Sequence, residues 1–211
     1  MNFVAAHAIV GLGLALAVSQ ASQAAPILNG TPLASPDEHI DFTEVSVANG
    51  AALTNQFGAL GVSFSGFFYN PCTGCLAVVP DGAKPDIGNF EGPTIEGENE
   101  PASSIFFGQP VTDATFGFIA NGGQFTMTAL MNSSSVESVQ FDGAVPNWGV
   151  YGFTGIVFDQ IAFTSSPREL FIDNLGFNIA AVPEPVTLSL VGIALAGLGF
   201  SRRKRSSQTK Q

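Results

Sequence analysis

Between residues 26 and 181 no stretch of helical length carries an amphipathic charged pattern. Short strand-like segments recur instead, each bounded by Gly, Pro, Asn or Asp. They fall at residues 39–47, 61–69, 76–79, 103–107, 114–120, 124–131, 136–141, 155–163 and 170–179. Apolar residues alternate at period two in Thr115-Phe116-Gly117-Phe118 and from Val157 to Phe163, as in a strand with one buried face. Short strands separated by turns predict an all-β fold, an antiparallel β-sandwich or jelly roll. Composition agrees: 19 Phe can fill a core, while 24 Gly and 13 Pro supply turns. No internal repeat is present.

The two ends read as addresses. An uncharged apolar run over residues 8–18 leads to Ser22-Gln23-Ala24, with small residues three and one before a cut. This predicts a secretory signal peptide, residues 1–24, cleaved before Ala25. Its n-region holds no Lys or Arg, a departure from the usual pattern. A buried N-terminal helix is the competing reading. The domain itself is expected over residues 25–180. At the other end, Pro183-Glu184-Pro185 precedes an uncharged run rich in Gly, Ala and Leu over residues 186–200. Arg202, Arg203, Lys204 and Arg205 follow it. That run predicts a short transmembrane helix, below the ~20 residues that span a bilayer comfortably. The basic cluster should stay cytoplasmic.

Charge is divided sharply. Five of the seven basic residues lie in the last ten positions, and sixteen of the seventeen acidic residues lie between Asp37 and Asp173. Only Lys84 and Arg168 offset those sixteen, leaving the body with fourteen net negative charges. Such a surface repels nucleic acid. It suits solubility in an extracytoplasmic space, or attraction of cations and basic partners. Six acidic residues fall in the irregular stretch from Pro80 to Pro101 without the spacing of an EF-hand loop. That stretch reads as a solvated loop, with cation capture the competing reading.

The tripartite tail resembles the PEP-CTERM sorting domain of Gram-negative bacteria over residues 182–211. The resemblance implies recognition by an exosortase, an integral-membrane enzyme similar to cysteine transpeptidases, and processing near Pro183-Glu184-Pro185. It also implies a link with exopolysaccharide and biofilm. The two prolines keep the processed segment out of helix, and Glu184 offers a carboxylate to be read. An ordinary stop-transfer anchor is the alternative.

The body has looser likenesses. Its opening, Ile40-Asp41-Phe42-Thr43-Glu44 with Gly61-Val62-Ser63-Phe64, resembles exported PEP-CTERM β-proteins. Its close, Phe171-Ile172-Asp173-Asn174-Leu175-Gly176-Phe177, does too. Both are similar to carbohydrate-binding jelly rolls, whose first and last strands pair and often hold a structural Ca²⁺ where they meet. A calcium site using Asp41, Glu44 and Asp173 is therefore one expectation. Asp173 is read as sharing a face with Phe171, Leu175 and Phe177, where a carboxylate needs a partner. The competing reading gives Asp173 the amides of a turn, or solvent at a bulge.

Cys72 and Cys75 are the only cysteines. After Asn70-Pro71, in an exported chain, they read as a loop-clamping disulfide. Zinc would need two more ligands, and His39 is the only histidine outside the signal peptide. Pro146-Asn147-Trp148-Gly149 reads as an exposed turn, so Trp148, with Tyr69 and Tyr151, is a candidate sugar-stacking platform beside the plainer reading of packing. No nucleophile elbow, zincin motif or phosphate loop is present. The expected function is that of a non-enzymatic surface or matrix protein associated with exopolysaccharide. Its rivals are a secreted glycan hydrolase, which needs only two carboxylates, and a plain membrane-anchored protein.

Overall fold

The computed structural model describes residues 25–71, 93–97, 103–120, 122–142, 147–165 and 170–181. The signal peptide, Cys72, Cys75, the segment 76–79, most of the acidic stretch and everything from residue 182 onward lie outside the described residues. Among those described, no helix is long and apolar enough to cross a membrane.

The described chain is an antiparallel β-sandwich, one sheet curled on itself around a single core. The strands are β1 Ala25–Leu28, β2 Glu38–Ile40, β3 Ala52–Leu53, β4 Val62–Ser65, β5 Phe67–Asn70 and β6 Thr94–Gly97. They continue with β7 Ser103–Ala120, β8 Gln124–Met131, β9 Ser134–Asp142, β10 Asn147–Thr154, β11 Phe158–Ser165 and β12 Leu170–Ile179. A first layer runs β4-β7-β11-β8-β9. A second runs β1-β10-β7-β12, with β2 and β6 sharing the far edge of β12, and β5 and β3 beyond β6.

Strand β7 belongs to both layers. Its first part pairs with β4 and β11, and its last part with β12 and β10. Between them stand Gly108, Gln109 and Pro110, in the gap between the strands expected at 103–107 and 114–120. Pro110 has no N–H to give, so the ladder is interrupted there and the strand turns the corner between layers. The register records it: as β11 advances from Phe158 to Gln160, its partner on β7 moves from Val111 back to Phe106. Gly66 makes a second corner. Its φ of +71° lies in the left-handed region and separates β4 from β5, splitting the single strand expected at 61–69.

Other elements follow local chemistry. Strands β8 and β12 have the predicted bounds. Asn132 and Ser133, both at positive φ, form the tight turn between β8 and β9. The strand expected at 39–47 ends at Ile40, because Phe42 adopts a left-handed φ of 63°. The Tyr69 hydroxyl donates to the Phe42 carbonyl at 3.2 Å and fixes that turn.

The core is built of phenylalanine. Ring pairs link Phe42, Phe57, Phe64 and Phe67, then Phe163 and Phe116, at centroid separations of 5.4–6.1 Å. Phe118 lies at 5.4 Å from Phe125, 5.3 Å from Phe141 and 4.9 Å from Tyr151. Most of these contacts are edge-to-face, each worth about 0.5–1.5 kcal/mol beyond area burial. They join residues of both layers. Close packing demands glycine at Gly152, where an added Cβ would collide with the Ala114 carbonyl of β7.

Candidate functional site

Strands β2 and β12 pair with Ile40 opposite Leu175, which sets Asp41 one residue past the end of β2. The Thr43 amide and hydroxyl both donate to Asp41 Oδ1, at 3.0 Å and 2.5 Å. The Asp41 amide donates to Glu44 Oε1 at 2.9 Å. Asp41 is held below the ordinary aspartate pKa, chiefly by the Thr43 hydroxyl, with burial opposing. Burial raises the pKa of the neighbouring Tyr69, and the charges of Glu44 and Asp41 add to it.

Asp173 is 1% exposed, and the Asn174 amide donates to its Oδ1 at 2.7 Å. The register explains its setting. Strand β12 advances three residues, Asp173 to Gly176, while β7 advances two, Gly117 to Thr115. Asn174, at a φ of 51°, takes up the extra residue as a bulge. The strict period-two reading of β12 is thereby corrected: Ile172 and Leu175 are both buried, while Phe171 is half-exposed. Among the described residues no group of three His, Cys, Asp or Glu side chains is placed to hold a metal, and Asp173 does not complete a cluster with Asp41 and Glu44.

The aromatic platform is also redrawn. Tyr151 packs inside the core between Phe118 and Phe141, and Tyr69 is buried with its hydroxyl on Phe42. Neither offers a face to a ligand. Trp148 does not sit in an exposed turn: its backbone lies in β10, opposite Ile119 of β7. Its side chain lies outside what is described.

The end of β12 is tied down from three sides. Asp113 of β7 accepts from the Gly155 amide at 2.9 Å, the Thr112 hydroxyl at 2.8 Å and the Asn178 carboxamide at 3.1 Å. Asn178 in turn accepts from the Asp37 amide at 3.1 Å, and the Asp37 carboxylate accepts from the Ile179 amide at 2.8 Å. The Ala180 amide donates to the Pro110 carbonyl at 2.8 Å. The chain thus stays fastened to the body until Ala180, three residues before Pro183.

Residues 181–205, which begin beside this knot, match the family described as the PEP-CTERM protein-sorting motif. The chain carries a PEP-CTERM sorting signal. That signal marks an exported protein of a Gram-negative bacterium, one that transits the membrane. No curated protein sequence matches the chain. Among solved structures, a family 29 carbohydrate-binding module is 12% identical, covering 77% of this chain and all of the module at a TM-score of 0.32. The module TmCBM61, solved with β-1,4-galactotriose, is 11% identical over 64% of this chain and all of its own, at a TM-score of 0.34. Likenesses this distant assign no ligand to the PEP-CTERM chain.

Asp113 gives the knot a pH dependence. Burial raises its pKa, but the bonds from Gly155, Thr112 and Asn178 outweigh that, and the net value is lowered. A lowered folded pKa adds stability above the unfolded value of about 3.9, and that stability is lost as pH falls through the folded value. Asp41 acts in the same direction. Melting temperature is therefore expected to hold from pH 7 to about 5 and to decline below about 4. Asp113→Asn should melt lower than wild type at pH 7, with the difference closing in acid. A difference unchanged down to pH 2 would refute this account of Asp113.

Proposed function

We propose that the protein is a non-enzymatic β-sandwich delivered by exosortase to the cell surface or extracellular matrix. There it serves exopolysaccharide as a structural or carbohydrate-associated component. The observation that carries this reading is the PEP-CTERM motif at residues 181–205, abutting a β-domain whose last strand ends at Ile179.

The sorting chemistry follows from the residues. Fifteen uncharged residues, 186–200, would extend ~22 Å as a helix at 1.5 Å per residue, short of the ~30 Å hydrocarbon core. Such a segment parks the chain in the inner membrane, with Arg202, Arg203, Lys204 and Arg205 on the cytoplasmic side. Pro183 and Pro185 favour extended backbone at the opposite face, the form a protease-like site grips. Processing there removes five of the seven basic residues and leaves a strongly acidic product.

Intact-mass measurement of the protein recovered from the cell envelope tests this. The expected mass lacks residues 1–24 and the segment after the Pro-Glu-Pro motif. A mature form that keeps residues 186–211 would sink the sorting claim and leave a plain membrane-anchored protein.

A further inference from the structure

The outer face of the first layer differs from the rest of this acidic body. Strand register sets Ser65, Ser104, Ala162, Thr128 and Ser138 in one row across β4, β7, β11, β8 and β9. The adjoining row holds Ser63, Phe106, Gln160 and Leu130. A third holds Thr164, Thr126 and Gln140. None of these residues is ionisable, although sixteen acidic residues stand in the body. Of the carboxylates nearby, Asp142 ends β9, and Asp159 accepts from the Asn132 amide at the β8–β9 turn, 2.9 Å away. Glu137 of β9 stands opposite the buried Ala129, out of these rows, and accepts from the Ser138 amide at 3.3 Å.

The polar groups here are ordered by one another. Gln160 Nε2 donates at 3.1 Å to the Oγ of Ser104, the one buried hydroxyl of the row, and the Thr128 and Ser138 hydroxyls lie 3.0 Å apart. Among these hydroxyls Phe106 is 37% exposed, on a strand whose other phenylalanines are buried. Five strands at ~4.8 Å spacing make the face roughly 19 Å wide.

We infer that this face binds a neutral polysaccharide chain, lying across the strands with a ring on Phe106. The inference rests on the carbohydrate-associated reading above and names its site and ligand class. Charge decides the class. An anionic polymer would meet a body of fourteen net negative charges, whereas an uncharged one meets no repulsion on this face. The hydroxyl content decides against a protein partner. Protein interfaces are depleted in serine, because a dry contact strands hydroxyls without partners. A glycan returns a donor and an acceptor at each hydroxyl, and its apolar ring face suits an exposed aromatic.

The test is electrophoresis of the full exported protein through native gels holding hydroxyethylcellulose, a neutral glucan, or alginate, a polyuronate. Retardation by the glucan and not by alginate is expected. Phe106→Ala and Ser138→Glu should each weaken it about tenfold, the scale of losing a central contact. Leu28→Ala, at an exposed apolar position on β1, should leave it unchanged. Absence of retardation by the glucan overturns the inference, as does stronger retardation by alginate. Self-association that depends on Phe106, without glycan binding, overturns it too. Retardation that survives both face variants sinks this face while leaving carbohydrate association standing. Intact mass on the same preparations reports sorting separately from every one of these outcomes.

Discussion

Replacing Pro183, Glu184 and Pro185 together with alanine is expected to abolish processing and leave the tail on the mature protein. The reason is conformational before it is chemical. Alanine is the strongest helix former, and proline inside a helix costs about 3 kcal/mol. If residues 186–200 form the proposed membrane helix, removing both prolines would let it propagate back toward Ala180, where the body is fastened. An enzyme that needs extended backbone then finds none. Glu184→Gln, which keeps both prolines, separates the two contributions: it should reduce processing only if the carboxylate itself is read. Intact mass decides both variants. Normal trimming of the triple-alanine protein would show that Pro183-Glu184-Pro185 is not the recognised element.

Phe118→Ala carries the largest expected loss of stability. Phe118 is fully buried in the second-layer part of β7, and its ring meets Phe125, Phe141 and Tyr151 from three other strands. Removing a buried phenyl group costs about 3–5 kcal/mol through lost transfer energy and the cavity left behind. That is a large share of the 5–15 kcal/mol that stabilises a typical domain. Phe106→Ala, on the same strand but facing outward, should cost far less. Urea unfolding of the two variants measures the contrast. Equal midpoints would mean that the inward and outward faces of β7 have been assigned wrongly.

Much of this architecture was legible in the chain. Strands β8 and β12 could be bounded from alternation and turn residues alone, since Gly123 and Asn132 flank the first in sequence. The pairing of an early strand with the last was anticipated only through the resemblance of those segments to carbohydrate-binding jelly rolls. What escaped were elements whose existence depends on partners. Ala52–Leu53 is too short to alternate, and β6 is a four-residue strand inside an acidic stretch. Strand β10 begins at a Pro-Asn-Trp-Gly sequence that resembles a turn until β7 supplies its hydrogen bonds. The gap between the strands expected at 103–107 and 114–120 is real as a corner but not as a gap, because the strand changes layers without ending.

The candidate sites were less legible, for a related reason. Tyr69 and Tyr151 look like ligand platforms in sequence, and tertiary packing turns both inward. Asp173 is buried as expected, but a bulge at Asn174, invisible to a period-two pattern, sets its surroundings. The hydroxyl rows of the first layer were present all along as the polar half of each alternating strand. Nothing in the linear chain says that Ser63, Ser104, Thr128 and Gln160 share one face. Only register does.

The knot at the end of β12 bears on what happens when the protein is pulled. Whatever grips the chain beyond Ala181 draws along β12, a strand flanked by β7 on one side and by β2 and β6 on the other. Antiparallel hydrogen bonds run perpendicular to the strands, so tension along β12 loads many of them at once in shear, instead of peeling them one by one from an edge. The sorting tail thus leaves from an interior strand, and a pull on it is resisted by pairing along both edges of β12.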